Sequence, residues 1–90
     1  PIVDVPNAFT PQSGDQNSVV FVRGFGIAKM QFIIWNRWGQ KVFETNSISQ
    51  GWNGKLKGVL QPMDVYVYTL SVEFSDGTKT TKKGDITLIR

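Results

Sequence analysis

Ninety residues without a cysteine or a histidine form one small domain that can carry neither a disulfide framework nor a thiolate zinc site. The usual general base near neutral pH and the commonest metal ligand are also missing, so an enzyme here would have to work with carboxylates or lysines alone. Ten basic against seven acidic side chains leave a formal charge of +3, an excess too modest to point to nucleic acid, and no stretch approaches the ~20 apolar residues of a membrane span.

A chain this short buries only roughly 60–65% of the surface its unfolded form exposes. Its core must come from large side chains, and three Trp, six Phe and two Tyr supply them. Helical periodicity is nearly absent, whereas two-residue alternation recurs along the chain. Short strands are predicted at residues 2–5 and 19–22, with the turn signal Gln12-Ser13-Gly14-Asp15 between them. The oxygen-rich run from Ser13 to Ser18 is a calcium candidate, but it offers a single carboxylate, Asp15. It reads as a turn held by its own side-chain hydrogen bonds. Gly24-Phe25-Gly26 has the opening of a dinucleotide fingerprint without the third glycine or a following helix, and reads as a bend between strands.

From 29 to 35, Met30, Phe32 and Ile34 share one face and Gln31, Ile33 and Trp35 the other. This is the pattern of a central strand covered on both sides, or on one side and part of the other. A turn at Trp38-Gly39 leads to a strand at 41–44, and Asn53-Gly54 marks a further turn. A long strand is predicted over 65–74, with Tyr66, Tyr68, Leu70, Val72 and Phe74 on one face. Asp76-Gly77 is the clearest hairpin turn, since both residues can reach positive φ; it leads to a strand around 78–81 and a last strand at 85–90. Prolines 1, 6, 11 and 62 all fall outside the strand interiors, as a ladder requires. About seven short strands with regular turn signals predict an all-β fold, an immunoglobulin-like antiparallel β-sandwich, as one domain over residues 1–90.

Chemistry finds little purchase. The carboxylates Asp4, Asp15, Glu44, Asp64, Glu73, Asp76 and Asp85 are scattered over loops and strand ends, where acid–base catalysis needs a converging pair. No catalytic residue, metal site or cofactor is predicted. Lys79, Lys82 and Lys83, bracketed by Asp76 and Asp85, read as a solvated edge on which lysine discourages edge-to-edge pairing, the alternative being a contact for an acidic partner or nucleic acid. Trp35 and Trp52 are expected in the core. Trp38, beside a turn glycine and Arg37, suits either turn packing with a cation–π contact or a platform for sugars or single-stranded nucleic acid.

Read together, Val5-Pro6-Asn7-Ala8-Phe9-Thr10-Pro11, the run from Phe32 through Asn36-Arg37-Trp38-Gly39 to Phe43-Glu44, Trp52-Asn53-Gly54, Pro62, Val65-Tyr66-Val67-Tyr68 and the ending Lys83-Gly84-Asp85-Ile86-Thr87-Leu88-Ile89-Arg90 resemble one family over essentially the whole chain. That family is the gliding-motility-associated C-terminal domain, the type B sorting domain of type IX secretion in Bacteroidota. Its signature positions here are Pro6, Asn7, Phe9, Asn36, Gly39, Phe43, Trp52, Gly54, Tyr66, Tyr68 and Gly84. The resemblance implies a non-catalytic targeting domain that ends a large exported protein, commonly an adhesin or surface enzyme. It also implies passage through the periplasm to the cell surface, with the translocon and an outer-membrane protein as partners and an N-terminal cargo in the same chain.

Three departures stand out. The acidic, glycine-rich loop after Phe-Thr-Pro is altered to residues 12–18, the usual aspartate before Gly54 is Asn53, and the glycine expected before Tyr66 is Asp64. Asn53 and Asp64 are expected to tolerate positive φ there. The chain opens at Pro1 with no signal peptide, so a segment cut from a longer precursor is expected. Candidate partner contacts are Arg37 and Trp38 at the turn, the Lys82–Lys83 edge and Arg90, with an edge strand adding to a partner sheet. The rival readings are an immunoglobulin-like adhesion or carbohydrate-binding module, and a spacer.

Overall fold

The computed structural model describes residues 2–15 and 18–90, and every regular element in them is a strand. In chain order these are β1 (Ile2–Asp4), β2 (Ala8–Phe9), β3 (Arg23–Phe25), β4 (Ile27–Trp35), β5 (Lys41–Thr45), β6 (Lys55–Leu56), β7 (Val59–Leu60), β8 (Val65–Phe74) and β9 (Lys79–Leu88). A five-stranded sheet has the order β2-β9-β8-β4-β5, while β1 pairs with β3 and β6 with β7 in separate ribbons.

The alternation read from the sequence decides the layering. Met30, Phe32 and Ile34 of β4 lie beside Val72, Leu70 and Tyr68 of β8, and all but the half-buried Tyr68 are buried. On the outer face Ile33 and Trp35 are half-buried and Gln31 is exposed. The central strand is thus covered on one side and part of the other. Val3, Val5, Val20, Val22 and Trp52 close the inner face and join Phe9, Tyr66, Ile86 and Leu88 in one core, giving the two layers of an immunoglobulin-like sandwich. Trp35 departs from expectation. It sits on the outer face, because its position in the alternation opposes that of Ile34.

Pairing is antiparallel except between β2 and β9, which run parallel. The N-terminal segment pairs first with β3 and, beyond Pro6, with β9. Pro6 stands where the chain leaves one ribbon for the other, and its missing N–H costs no ladder bond there.

Other boundaries moved for identifiable reasons. The strands expected at 78–81 and 85–90 are parts of β9, which pairs with β8 without a break from Val65↔Thr87 to Glu73↔Lys79. Gly84 lies inside this strand, where a Cβ on it would come within 2.8 Å of the Tyr68 ring. The glycine makes room for an aromatic lying across its neighbouring strand. Residues 19–22 contribute one bridge, Val20↔Trp52, and the strand follows at β3. Gly24 and Phe25 therefore belong to that strand, and only Gly26 makes the expected bend. The ribbon of β6 and β7 went unpredicted; its two-residue turn, Lys57-Gly58, has φ of 52° and 81°, the geometry of a type I′ hairpin. Residues 16 and 17 of the calcium-candidate loop lie outside the described residues; within it Ser13 Oγ donates to Asp15 Oδ1 at 2.7 Å.

Candidate recognition surface

The β4–β5 turn is built by Asn36. Its Oδ1 accepts from the backbone N–H groups of Trp38 at 3.0 Å and Gln40 at 2.9 Å, and its Nδ2 donates to Gln40 Oε1. Asn36 N–H bonds Gln40 O and Gly39 N–H bonds Asn36 O, closing a three-residue loop in which Gly39 takes φ of 80°. The β8–β9 hairpin repeats this grammar, with Phe74 N–H to Thr78 O and Gly77 N–H to Phe74 O. Both are turns with a terminal left-handed glycine. Only Gly77 has positive φ there, so Asp76 does not use the freedom expected of it. Its carboxylate instead accepts from the Thr78 hydroxyl and N–H, and these bonds hold its pKa below the usual value.

On this rigid turn Trp38 is 77% exposed, and the Arg37 guanidinium lies 5.0 Å from the centre of its ring. Arg37 Nη1 also reaches Asp64 Oδ2 at 3.6 Å, tying the turn to the segment that enters β8. That segment, residues 61–64, is a junction. Arg90 Nη2 donates to Gln61 O at 2.6 Å, the Tyr66 hydroxyl donates to Pro62 O at 2.6 Å, and Leu88 N–H donates to Asp64 O. The Tyr66 bond, reaching four residues back at the entry to a strand, is a tyrosine corner. Asp64 has no positive φ, and neither has Asn53. Asp64 acts through its carboxylate, and Asn53 Oδ1 accepts from Lys55 N–H.

Of the five residues singled out as contacts, Arg37 and Arg90 thus reach residues 61–64, and Trp38 joins them through Arg37; Met63, Val65 and Ile89, close by in the chain, expose apolar side chains. Lys82 and Lys83 are not brought together with them, nor with each other. Adjacent strand residues face opposite ways: Lys82 borders a groove with Ile2, Val3 and Phe74, whereas Lys83 borders one with Trp35, Val67 and Asp85.

Residues 3–88 match the family model of the CHU_C type IX secretion signal domain. The chain belongs to this family. No curated protein matches it. A type IX secretion signal domain is a targeting module, and the signal implies interaction with the type IX machinery and export to the cell surface or the extracellular space.

Most positions that carry the family resemblance have structural work in this signal domain. Trp52 is 1% exposed, with ring centres of Phe9 and Tyr66 at 5.3 and 5.0 Å and its Nε1 donating to Lys55 O. Gly54 is buried against Pro11. Phe43 and Tyr68 flank Phe32 edge-on, and Asn7 O accepts from Thr87 N–H to seat β2. Pairing also accounts for several carboxylates. Asp4 meets Arg23, Glu73 meets Lys79, and Glu44 meets Lys41. Hydrogen bonds from Lys41 and Gln31 lower the Glu44 pKa, opposite to what a general acid requires. Among the described residues no cluster of acidic side chains could hold a metal ion. Met63, Asp64 and Gln61 were missed as surface residues. Only their proximity to Pro62 and Tyr66 hinted at them, because Arg37 reaches Asp64 and Arg90 reaches Gln61 from distant parts of the chain.

Proposed function

We propose that the export apparatus reads this signal domain as a folded surface, with Arg37, Trp38 and Arg90 as anchors around residues 61–64. The translocon or an outer-membrane protein is the reader, the domain does no chemistry, and its cargo precedes it in the same polypeptide. The observation that carries this reading is a largely exposed tryptophan on a hydrogen-bonded turn, backed by one arginine and tied by it to a second strand entry. Such aromatic–arginine groups dominate interface energetics, and their geometry exists only in the folded domain, since Arg37 and Asp64 are far apart in sequence. The test fuses residues 1–90 to a passive reporter in a host with type IX secretion. Export of the wild-type fusion is expected, and its retention overturns the targeting role. A folded Trp38→Ala/Arg90→Ala variant is expected to be retained; its normal export removes this surface from recognition.

A further inference from the structure

The exposed side of β9 carries information that the turn does not. Backbone groups of successive strand residues point to opposite sides. Leu88 N–H points to β8, bonding Asp64 O, while Thr87 and Ile89 bond Asn7 O and Phe9 O on the opposite side. Carried back through the unbroken register, this alternation turns the N–H and C=O groups of Lys79, Thr81, Lys83 and Asp85 away from β8. β2 pairs only with Thr87 and Leu88. Among the described residues, no strand pairs with that side of 79–86.

Free edges invite pairing and are usually blunted by shortness, proline, a bulge, a cover or charge. β5, the opposite edge, is five residues long and its register shifts between Ile34 and Trp35. β9 is ten residues long, with no proline and no bulge against β8. Charge guards it: Lys79, Lys82 and Lys83 against Asp85, three positive and one negative, leave a net +2 over this stretch. Lys79 meets Glu73 at 3.9 Å, while Lys82 and Lys83 take part in no ion pair among the described residues. Such a field repels a second β9 laid alongside, since lysines would face lysines. The same field favours a strand that brings carboxylates, so one device both rejects and selects.

We propose that the β9 edge is a strand-addition site for an extended acidic segment of the export apparatus, with carboxylates at alternate positions facing Lys79 and Lys83. The identity of the partner rests on the targeting role proposed above; the edge chemistry does not.

The probe is a synthetic peptide alternating Glu with Val or Thr, titrated into the purified domain while amide hydrogen exchange is followed by NMR. Exchange at Thr81, Lys83 and Asp85 is expected to slow about tenfold with peptide at ten times its Kd, with Thr80, Lys82 and Gly84 unchanged. A peptide with Lys in place of Glu should do nothing. Thr81→Pro, which removes an outward N–H and no ladder bond, should abolish the effect while preserving the amide spectrum. If that variant does not fold, Lys79→Glu/Lys83→Glu is expected to reverse the peptide preference. Lack of protection at millimolar peptide overturns the proposal, as does protection without the two-residue alternation or equal protection by the Lys peptide. Alternating protection that grows with protein concentration alone makes a second copy the occupant and also overturns it. In the reporter fusion, export of the wild type with retention of Thr81→Pro supports the edge as the docking strand. Export of both overturns that role and leaves the targeting role standing. If the wild-type fusion is itself retained, the targeting role fails and the peptide experiment still decides the edge.

Discussion

Two turns of this domain pair a tryptophan with a nearby glycine, Trp38-Gly39 and Trp52-Asn53-Gly54, yet one ring is 77% exposed and the other 1%. Local hydrogen bonding does not separate them, for an asparagine organises each. What differs is the strand context. Trp52 lies in a bridge to Val20, its N–H and C=O both bonded there, and that bridge presses its ring between Phe9 and Tyr66. Trp38 sits in the turn between β4 and β5, largely exposed, with the Arg37 guanidinium against its ring. One tryptophan holds the layers together and the other is available to a partner.

Replacing each tryptophan should break this symmetry most visibly. Trp52→Ala removes a fully buried aromatic at a cost of about 3–5 kcal/mol, a large part of the stability of so small a domain. Urea denaturation should show it unfolded or nearly so. Trp38→Ala should stay within about 1 kcal/mol of wild type, the worth of an exposed cation–π contact. A large loss there would mean that Trp38 belongs to the fold after all.

This division was half legible in the sequence. Alternation placed β4 and β8 and most of the core, because a period of two assigns faces without knowledge of partners. Side-chain bulk misled at Trp35, arguing for the core where the alternation put the residue on the outer face. At 78–90 two short strands are expected where β9 runs unbroken from Lys79 to Leu88. The candidate surface was legible only in part, since Arg37 and Trp38 are neighbours in sequence but the contacts from Arg37 to Asp64 and from Arg90 to Gln61 are tertiary. No periodicity reports a side chain that reaches across the end of a sheet.

The next effect belongs to the glycine under Tyr68. Gly84→Ala forces its Cβ toward the ring and is expected to cost about 1–3 kcal/mol, as overpacking does. In a Tyr68→Ala background the same change should cost much less, since nothing then occupies the space. A double-mutant cycle that shows simple additivity would remove close packing as the reason for this glycine.

Tyr66→Phe probes the buried side with a smaller change. It removes the hydroxyl that donates to Pro62 O and is expected to cost about 1 kcal/mol, or a fall in Tm of roughly 4–8 °C for a domain of this size. Burial, and then the Asp64 charge, push the pKa of this hydroxyl above 10.0; burial raises Tyr68 likewise. The unfolded chain therefore releases these protons first. Their contribution is fully present below about pH 10 and is lost as pH rises through the higher folded values. Tyr66→Phe should flatten that alkaline loss without touching stability at neutral pH beyond the missing bond.

The smallest effect on folding is expected at Arg37, and it carries the most weight for the comparison. Arg37→Ala removes an ion pair to the partly buried Asp64, with the arginine side exposed, and the cation over Trp38. Surface pairs of this kind contribute only about 0–1 kcal/mol, so Tm should fall by no more than about 4–8 °C. Arg37→Lys keeps the charge but loses the planar group that stacks on the indole. If the turn acts as a preorganised anchor, both variants should melt almost as wild type while export of a fused reporter drops, with lysine only partly restoring it. Equal export by all three proteins would show that the exposed tryptophan needs no support from the arginine. A melt shifted as far as that of Trp52→Ala would show instead that this end of the sandwich is held together by the very residues assigned to recognition.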